Sequence, residues 1–261
     1  MSLLDVSGLG ITFGGLKAVD DVSFAVPAGE IVSVIGPNGA GKTTLFNMIS
    51  GVYLPGRGTV HLNGVEVTGQ TPDKLAPMGL ARTFQNLQIF HEMSVLDNAV
   101  AGFHLRERGS VWADLLGLPS VRRRATFARD GAMKLLERVR LGDLAEEEAG
   151  NLSYGQLKRL EIARALAVDP KILLLDEPAA GCNAVETEEI DALIAELAGE
   201  GIAILLVEHD MKLVMKISNH VVVLDQGRKI AEGPPEQVSQ NPEVIAAYLG
   251  ADGEEALHAE G

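Results

Sequence analysis

IVSVIGPNGAGKTTLF, residues 31–46, changes texture twice within a short span. Its first five residues, Ile31 to Ile35, are mostly β-branched and read as a buried strand. Gly36 to Thr43 then follows the pattern G-x-x-x-x-G-K-[ST] of a phosphate-binding loop, and the residues after it can start a helix. The spacing has physical reasons. Gly36, Gly39 and Gly41 permit unusual backbone angles and put no side chain between the amides and an incoming anion. Those N–H groups and the helix start behind them present partial positive charge to a polyphosphate. Lys42 adds a full charge for β- and γ-phosphates, and the Thr43 hydroxyl can ligate Mg²⁺. The candidate nucleotide-binding segment is therefore Gly36, Pro37, Asn38, Gly39, Ala40, Gly41, Lys42, Thr43 and Thr44. A nucleoside triphosphate is the implied ligand.

Working outward, residues 2–67 alternate short apolar runs (LLDV, GITF, DVSFAV) with Gly-rich punctuation. Thr59 to Val67 reads as a hairpin with Asn63-Gly64 at its turn. An antiparallel β portion is thus expected around the loop. Phe13, at a strand end upstream, can either stack on a nucleotide base or pack in the core. From about Leu87 to Leu160 the residues favour helices: Met133, Leu135, Leu136 and Val139 lie near helical spacing. Trp112 reads as a packing anchor. From Lys171 the texture alternates again. KILLLDEP and GIAILLVEHD are continuous apolar strands ending in acids, and between them Ile190, Leu193, Ile194 and Leu197 share one helical face. That alternation is the βαβ pattern of a parallel sheet. HVVVLDQG and KIAEG suggest two more strands, and Pro242 to Tyr248 a terminal helix. Residues 251–261 read as a disordered acidic tail.

The chain has 261 residues and a formal charge of −14, which opposes a nucleic-acid-binding surface and unaided attachment to anionic lipid. One segment departs: residues 104–140 carry nine Arg and Lys against four acids. It reads as a solvated helical face paired with local acids such as Glu146 to Glu148, the alternative being contact with cytoplasmic loops of membrane subunits or anionic lipid. No apolar run approaches the roughly 18–20 residues that span a bilayer. The start MSLLDVSGLG does not resemble a signal peptide, and the single Cys182 suits a reducing compartment.

Two further stretches carry chemistry. In LLLDE, Asp176 at the strand end would hold Mg²⁺ opposite Thr43, and Glu177 is placed to take a proton from an attacking water. In Leu152-Ser-Tyr-Gly-Gln156, Ser153 is a good helix N-cap and Gly155 lets an anion approach the first turn.

Together these stretches resemble the ATP-binding-cassette ATPases, with LSYGQ in the place of their LSGGQ signature. Gln85 in ARTFQN is similar to the family's Q-loop glutamine, His209 in LLVEHD to its switch histidine, and Phe13 to its base-stacking aromatic. The resemblance spans residues 3 to 250. It implies an α/β fold, a P-loop NTPase (RecA-like) core with an antiparallel β subdomain and an inserted helical subdomain. The expected bounds are 1–250 for one nucleotide-binding domain, its core about 1–86 and 161–250 and its helical part about 87–160.

What the resemblance implies for function is ATP hydrolysis in a composite site. Lys42, Gln85, Glu177 and His209 would be catalytic, with Thr43, Gln85 and Asp176 about Mg²⁺. Ser153, Gly155 and Gln156 would reach ATP held by a second, facing cassette, either another copy or a homologous subunit. Leu87, Ile89, Phe90 and Met93 would line a groove for a transmembrane permease subunit, or else pack as plain core residues. FGGLKAVDDVSF, RTFQNLQIFHEMSVLDN, DEPAAG and NPEVIAAYLG closely resemble the ATP-binding subunits of bacterial branched-chain amino acid importers. Urea and amide importers share much of this wording. A peripheral place on the cytoplasmic face of the inner membrane is expected, with a periplasmic or extracellular solute-binding protein as indirect partner and nucleic acid excluded. Tyr154, Cys182, Asn183 and Ala184 depart from the family pattern. Asn183 lies three residues before Glu186 and can simply cap the next helix.

Overall fold

A computed structural model describes residues 2–83, 87–103, 119–208 and 210–248. Gln85, Trp112, His209 and the tail expectation at 251–261 lie outside the described residues.

A six-stranded sheet runs through the middle in the order β10-β9-β3-β8-β7-β6. Its members are β3 (Ile31–Ile35), β6 (Leu80–Arg82), β7 (Ile172–Asp176), β8 (Ala203–Val207), β9 (His220–Asp225) and β10 (Arg228–Gly233). All neighbours pair parallel except β9 and β10, a hairpin. The four-stranded sheet beside it, β2-β1-β4-β5, is antiparallel: β1 (Ser2–Phe13), β2 (Leu16–Pro27), β4 (Arg57–Leu62), β5 (Val65–Glu66). Asn63 and Gly64 both take positive φ, 51° and 77°, as the expected hairpin turn requires.

Both faces of the central sheet are covered, so its strands are apolar without alternation. Side-chain alternation still sorts them. Leu173, Leu175, Ile204 and Leu206 meet the helices; Ile172, Leu174, Leu205 and Val207 meet α1 (Lys42–Ile49) and the antiparallel sheet. After the short α2 (Pro72–Leu75) and β6, the described residues form three α-helices before β7. They are α3 (Val95–Ala101), α4 (Pro119–Arg138) and α5 (Tyr154–Leu166), and they bury Ala99, Ala132, Leu136 and Leu160 together. Helix α6 (Ala184–Gly199) turns Ile190, Leu193, Ile194 and Leu197 inward, as its periodicity predicts. Helices α7 (Met211–Ile217) and α8 (Pro235–Ser239), with the expected helical stretch over 242–248, complete a smaller cluster under Ile35, Val221 and Val223.

The fold class is the expected one. Three local expectations change. The helix read from the spacing of Met133, Leu135, Leu136 and Val139 already runs from Pro119, because its first half is too rich in charge to show an apolar stripe. β6, three residues long, is set by its pairing with β7 rather than by any pattern of its own. LLDV and GITF are one strand, bent by register shifts between Val6 and Leu9 and between Leu9 and Ile11.

Candidate functional site

The phosphate loop leaves the C-terminal end of β3 and enters α1, as motif and sheet position require. Three glycines with positive φ shape it: Gly36 at 151°, Gly39 at 78° and Gly41 at 98°. At Gly36 a Cβ would strike the Leu224 carbonyl oxygen; at Gly39 it would point into open space. The first glycine is therefore demanded by packing and the second by conformation. The loop is braced from behind. Ala40 N–H donates to Pro37 O at 3.1 Å, and Gly227 N–H, in the turn between β9 and β10, donates to Ala40 O at 3.0 Å.

Lys42 is buried, and its ammonium donates to the carbonyls of Gly36 at 2.7 Å and Pro37 at 3.0 Å. Burial pushes its pKa down, against the opposing pull of Glu177 and Asp176. A cleft of about 630 Å³ opens over the loop, lined by Asn38 to Thr44 and, across from them, Glu177 and Gln226. Eight of the expected residues thus share one cavity.

Asp176 ends β7 fully enclosed, and Glu177 follows in a left-handed conformation with φ 49°. A non-glycine residue there is strained by about 1–3 kcal/mol. Its N–H is anchored on Val207 O at 2.9 Å. Burial pushes the Asp176 carboxyl up, and the Arg82 guanidinium beside it works in the other direction.

Arg82 is the main residue that the sequence did not reveal. Its Nη2 donates to Asp176 Oδ2 at 3.2 Å, and its Nη1 to Asn47 Oδ1 at 2.7 Å and Ser50 Oγ at 2.6 Å. The guanidinium also lies 5.8 Å from the Phe46 ring centroid. Both members of the ion pair are buried, 8% and 3% exposed, so desolvation makes each dependent on the other. An arginine inside an apolar run (Leu80-Ala81-Arg82) is a faint signal for such a pair. The Thr43 hydroxyl and the Asp176 carboxylate are hard oxygen donors of the kind Mg²⁺ takes. That chemistry fits, although among the described residues no cluster of three or more acids, His or Cys could hold a metal alone.

Phe13 ends β1 exposed, which removes the core reading. It meets Tyr53 edge-on at 5.6 Å and lines a hollow of about 600 Å³ that shares Lys17 with the loop cleft. Leu87 and Ile89 pack into the helical core, whereas Phe90 and Met93 are exposed. None of those four lines the hollow of about 470 Å³ between β6, α2, α3 and α5. Its walls include Val52, Ala81, Arg82, Gln88 and Arg164. Alternate residues of the segment turn inward, Leu87 and Ile89 as the core reading has them, and Gln88 faces the hollow. In the basic segment, Arg129 pairs with Glu146 at 2.8 Å, a solvated pairing with a local acid.

Ser153, Gly155 and Gln156 do not line the loop cleft. They form the start of α5, closed by a complete capping box: Gln156 N–H donates to Ser153 Oγ at 3.4 Å and Ser153 N–H to Gln156 Oε1 at 2.8 Å. Tyr154 keeps its backbone in the first turn; its ring lies under the Lys158 ammonium at 5.7 Å and beside Gly181. Lys158 donates to the Glu177 carbonyl at 3.4 Å, tying α5 to the end of β7. Asn183 is a true N-cap, accepting from Val185 and Glu186 N–H at 3.0 Å each. Glu186 reaches across to Ser153, whose hydroxyl, with Asn183 N–H, holds its carboxyl below the usual range.

These features have counterparts in known proteins. A family described as ABC transporter matches residues 19–180, and one described as branched-chain amino acid ATP-binding cassette transporter matches 228–254. The chain is 49% identical over 249 residues to BraF of Pseudomonas aeruginosa and equally to LivG of Escherichia coli K12. Each of these is a high-affinity branched-chain amino acid transport ATP-binding protein; 95% of this chain and 98% of the relative are covered in both cases. In three dimensions it resembles the ADP conformation of MJ1267, an ATP-binding cassette of an ABC transporter. The TM-score is 0.83 at 34% identity, covering 96% of this chain and 99% of that one. With matches of this extent, the loop on its parallel sheet, the Glu177 carboxylate on its cleft and the capped serine of a separate helix fall within one family, and the chain belongs to the ABC transporter ATPases, in their branched-chain amino acid group.

Proposed function

We propose that this chain is the ATP-hydrolysing subunit of a membrane importer for branched-chain amino acids, working as one of two facing cassettes. The observation that carries this is the division of the site. The cleft over residues 38–44 contains the phosphate-binding and base residues, whereas the signature serine caps a helix outside that cleft. A second cassette that presents its own Ser153 and Gly155 to the γ-phosphate would complete it. The whole of 1–250 acts as one cassette on this reading, with 87–160 as its helical part.

The residues divide the work. The amides of Gly39 to Thr43 and the first turn of α1 bind the phosphates, and Lys42 supplies the charge that follows the transferred phosphoryl group. Glu177 accepts the proton of the attacking water as the bond to the leaving phosphate breaks. Phe13 packs against the base. By the family resemblance alone, Gln85 and His209 would act on the γ-phosphate. Thr43, Asp176 and Gln85 would hold Mg²⁺, which would supply charge neutralisation for the triphosphate. Among the described residues no helix is long and apolar enough to cross a membrane. The membrane step therefore belongs to permease subunits docked on this chain at the cytoplasmic face, and solute choice to them and a solute-binding protein.

Glu177→Gln tests the enzymatic half: nucleotide binding should persist while turnover falls about 10²–10⁴-fold. Unchanged turnover removes Glu177 from the mechanism. Co-purification from membranes with permease subunits and labelled leucine uptake test the transport half; uptake unaffected by loss of the chain would contradict it.

A further inference from the structure

The first turn of α5 already holds an anion, and that anion belongs to the same chain. Glu186 Oε1 accepts from the Ser153 hydroxyl at 2.6 Å and from Gly155 N–H at 3.2 Å. Its Oε2 accepts from Asn183 N–H at 3.1 Å. Gly155 makes this possible: a Cβ there would lie 2.6 Å from Glu186 Cβ and Cγ. The capping box of α6 needs only the bond to Asn183. The two bonds to the signature turn are additional to it, and they use the donors assigned above to a partner's γ-phosphate.

Ser153 Oγ–H and Gly155 N–H have one proton each. While Glu186 holds them, neither can be given fully to a phosphate oxygen. We propose that Glu186 is a built-in substitute for the γ-phosphate: it latches the signature turn of the unpaired chain and must swing away when a second cassette presents ATP. The inference rests on the reading that Ser153 and Gly155 contact the partner's nucleotide. Two consequences follow. A γ-phosphate, with up to about two negative charges spread over three acceptor oxygens, can displace one carboxylate, whereas ADP has no group at that place, so the latch sharpens the choice of ATP over ADP. Departure of Glu186 also removes the acceptor of Asn183 N–H, which loosens the link between the 177–183 segment and α6. Closing the signature on ATP therefore releases the segment that follows Glu177.

The energetic form is a tax on pairing: apparent affinity falls by the fraction of chains whose signature is unlatched. The test uses the full-length chain in the Glu177→Gln background, in its pair of cassettes, and reads the ATP concentration at half-maximal association by light scattering. Glu186→Gln and Glu186→Ala should lower that midpoint by about threefold to tenfold and narrow the gap between ATP and ADP. A merely structural tie between α5 and α6 would give the opposite, weaker pairing. Glu186→Asp keeps the charge on a shorter arm, so it too should lower the midpoint; a shift in Gln and Ala but not Asp would replace the latch by simple charge repulsion. An unchanged or raised midpoint in all three variants, with Ser153→Ala abolishing pairing, overturns the latch and leaves the composite site standing. Ser153→Ala pairing as well as its parent overturns the composite site itself, and the latch with it. Melting temperatures of each variant establish that it is folded.

Discussion

On the proposed reading the phosphate-loop region and the signature region would meet one nucleotide from opposite sides, yet they are built in opposite ways. The loop is cast into the core. Gly36 lies under Leu224, Lys42 is buried among loop carbonyls, and Asp176 is enclosed with Arg82, while the face toward the cleft stays open. In the signature turn Ser153 and Tyr154 are exposed while Gly155 is covered, and its donors are spent on side chains of its own chain: Gln156, Glu186 and, through Glu186, Asn183. One half-site is preorganised at the expense of the fold; the other is held by contacts that can be exchanged. Damage to the first should therefore appear as lost stability, and damage to the second as altered pairing with little loss of stability.

The largest stability effect is expected at Arg82→Met. It strands Asp176 without its buried partner, a loss of about 3–5 kcal/mol, and should lower the melting temperature clearly even without nucleotide. A loss near zero would break the contrast, since it would make the loop region as exchangeable as the signature.

Alkaline pH probes the same region from below. Burial pushes the Tyr248 phenol up from 10.0 to about 12, and Tyr248 packs in the cluster with Ile35 under the loop. The folded chain keeps that proton longer than the unfolded one. Its contribution is therefore intact below about pH 10 and is lost progressively as pH rises toward 12. Tyr248→Phe should flatten this part of the stability profile; an unchanged slope would assign the alkaline loss to other groups.

The smallest effect belongs to the signature side. Asn183→Ala removes the N-cap of α6 at a cost of about 1 kcal/mol in urea unfolding. A loss matching that of Arg82→Met would show that this region too is cast into the fold.

How much of this was legible in the sequence follows from how far apart the partners lie. β3, β7 and β8 are enclosed on both faces and so appear as unbroken apolar runs, and the loop glycines declare themselves by spacing. The caps at Ser153 and Asn183 are legible because they act over three residues. Arg82 and Asp176 are 94 residues apart, Ser153 and Glu186 33 apart, and neither link leaves a local pattern. The same holds for the β9–β10 turn that braces the loop from Gly227. Phe13 was ambiguous because a strand-end aromatic looks alike in a core or at a mouth; only its exposure separates the two. The inward turn of Leu87 and Ile89, with Phe90 and Met93 outward, depends on a helical core assembled from distant segments.

The division of the site is the central claim, and dilution tests it most directly. ATP turnover per chain is measured at saturating ATP while the cassettes are diluted, with light scattering recording their association. The expected result is a turnover that falls together with the associated fraction, because Lys42 and Glu177 of one chain wait for a serine from another. A chain that hydrolyses ATP at its full rate while it is demonstrably a monomer would contradict the account.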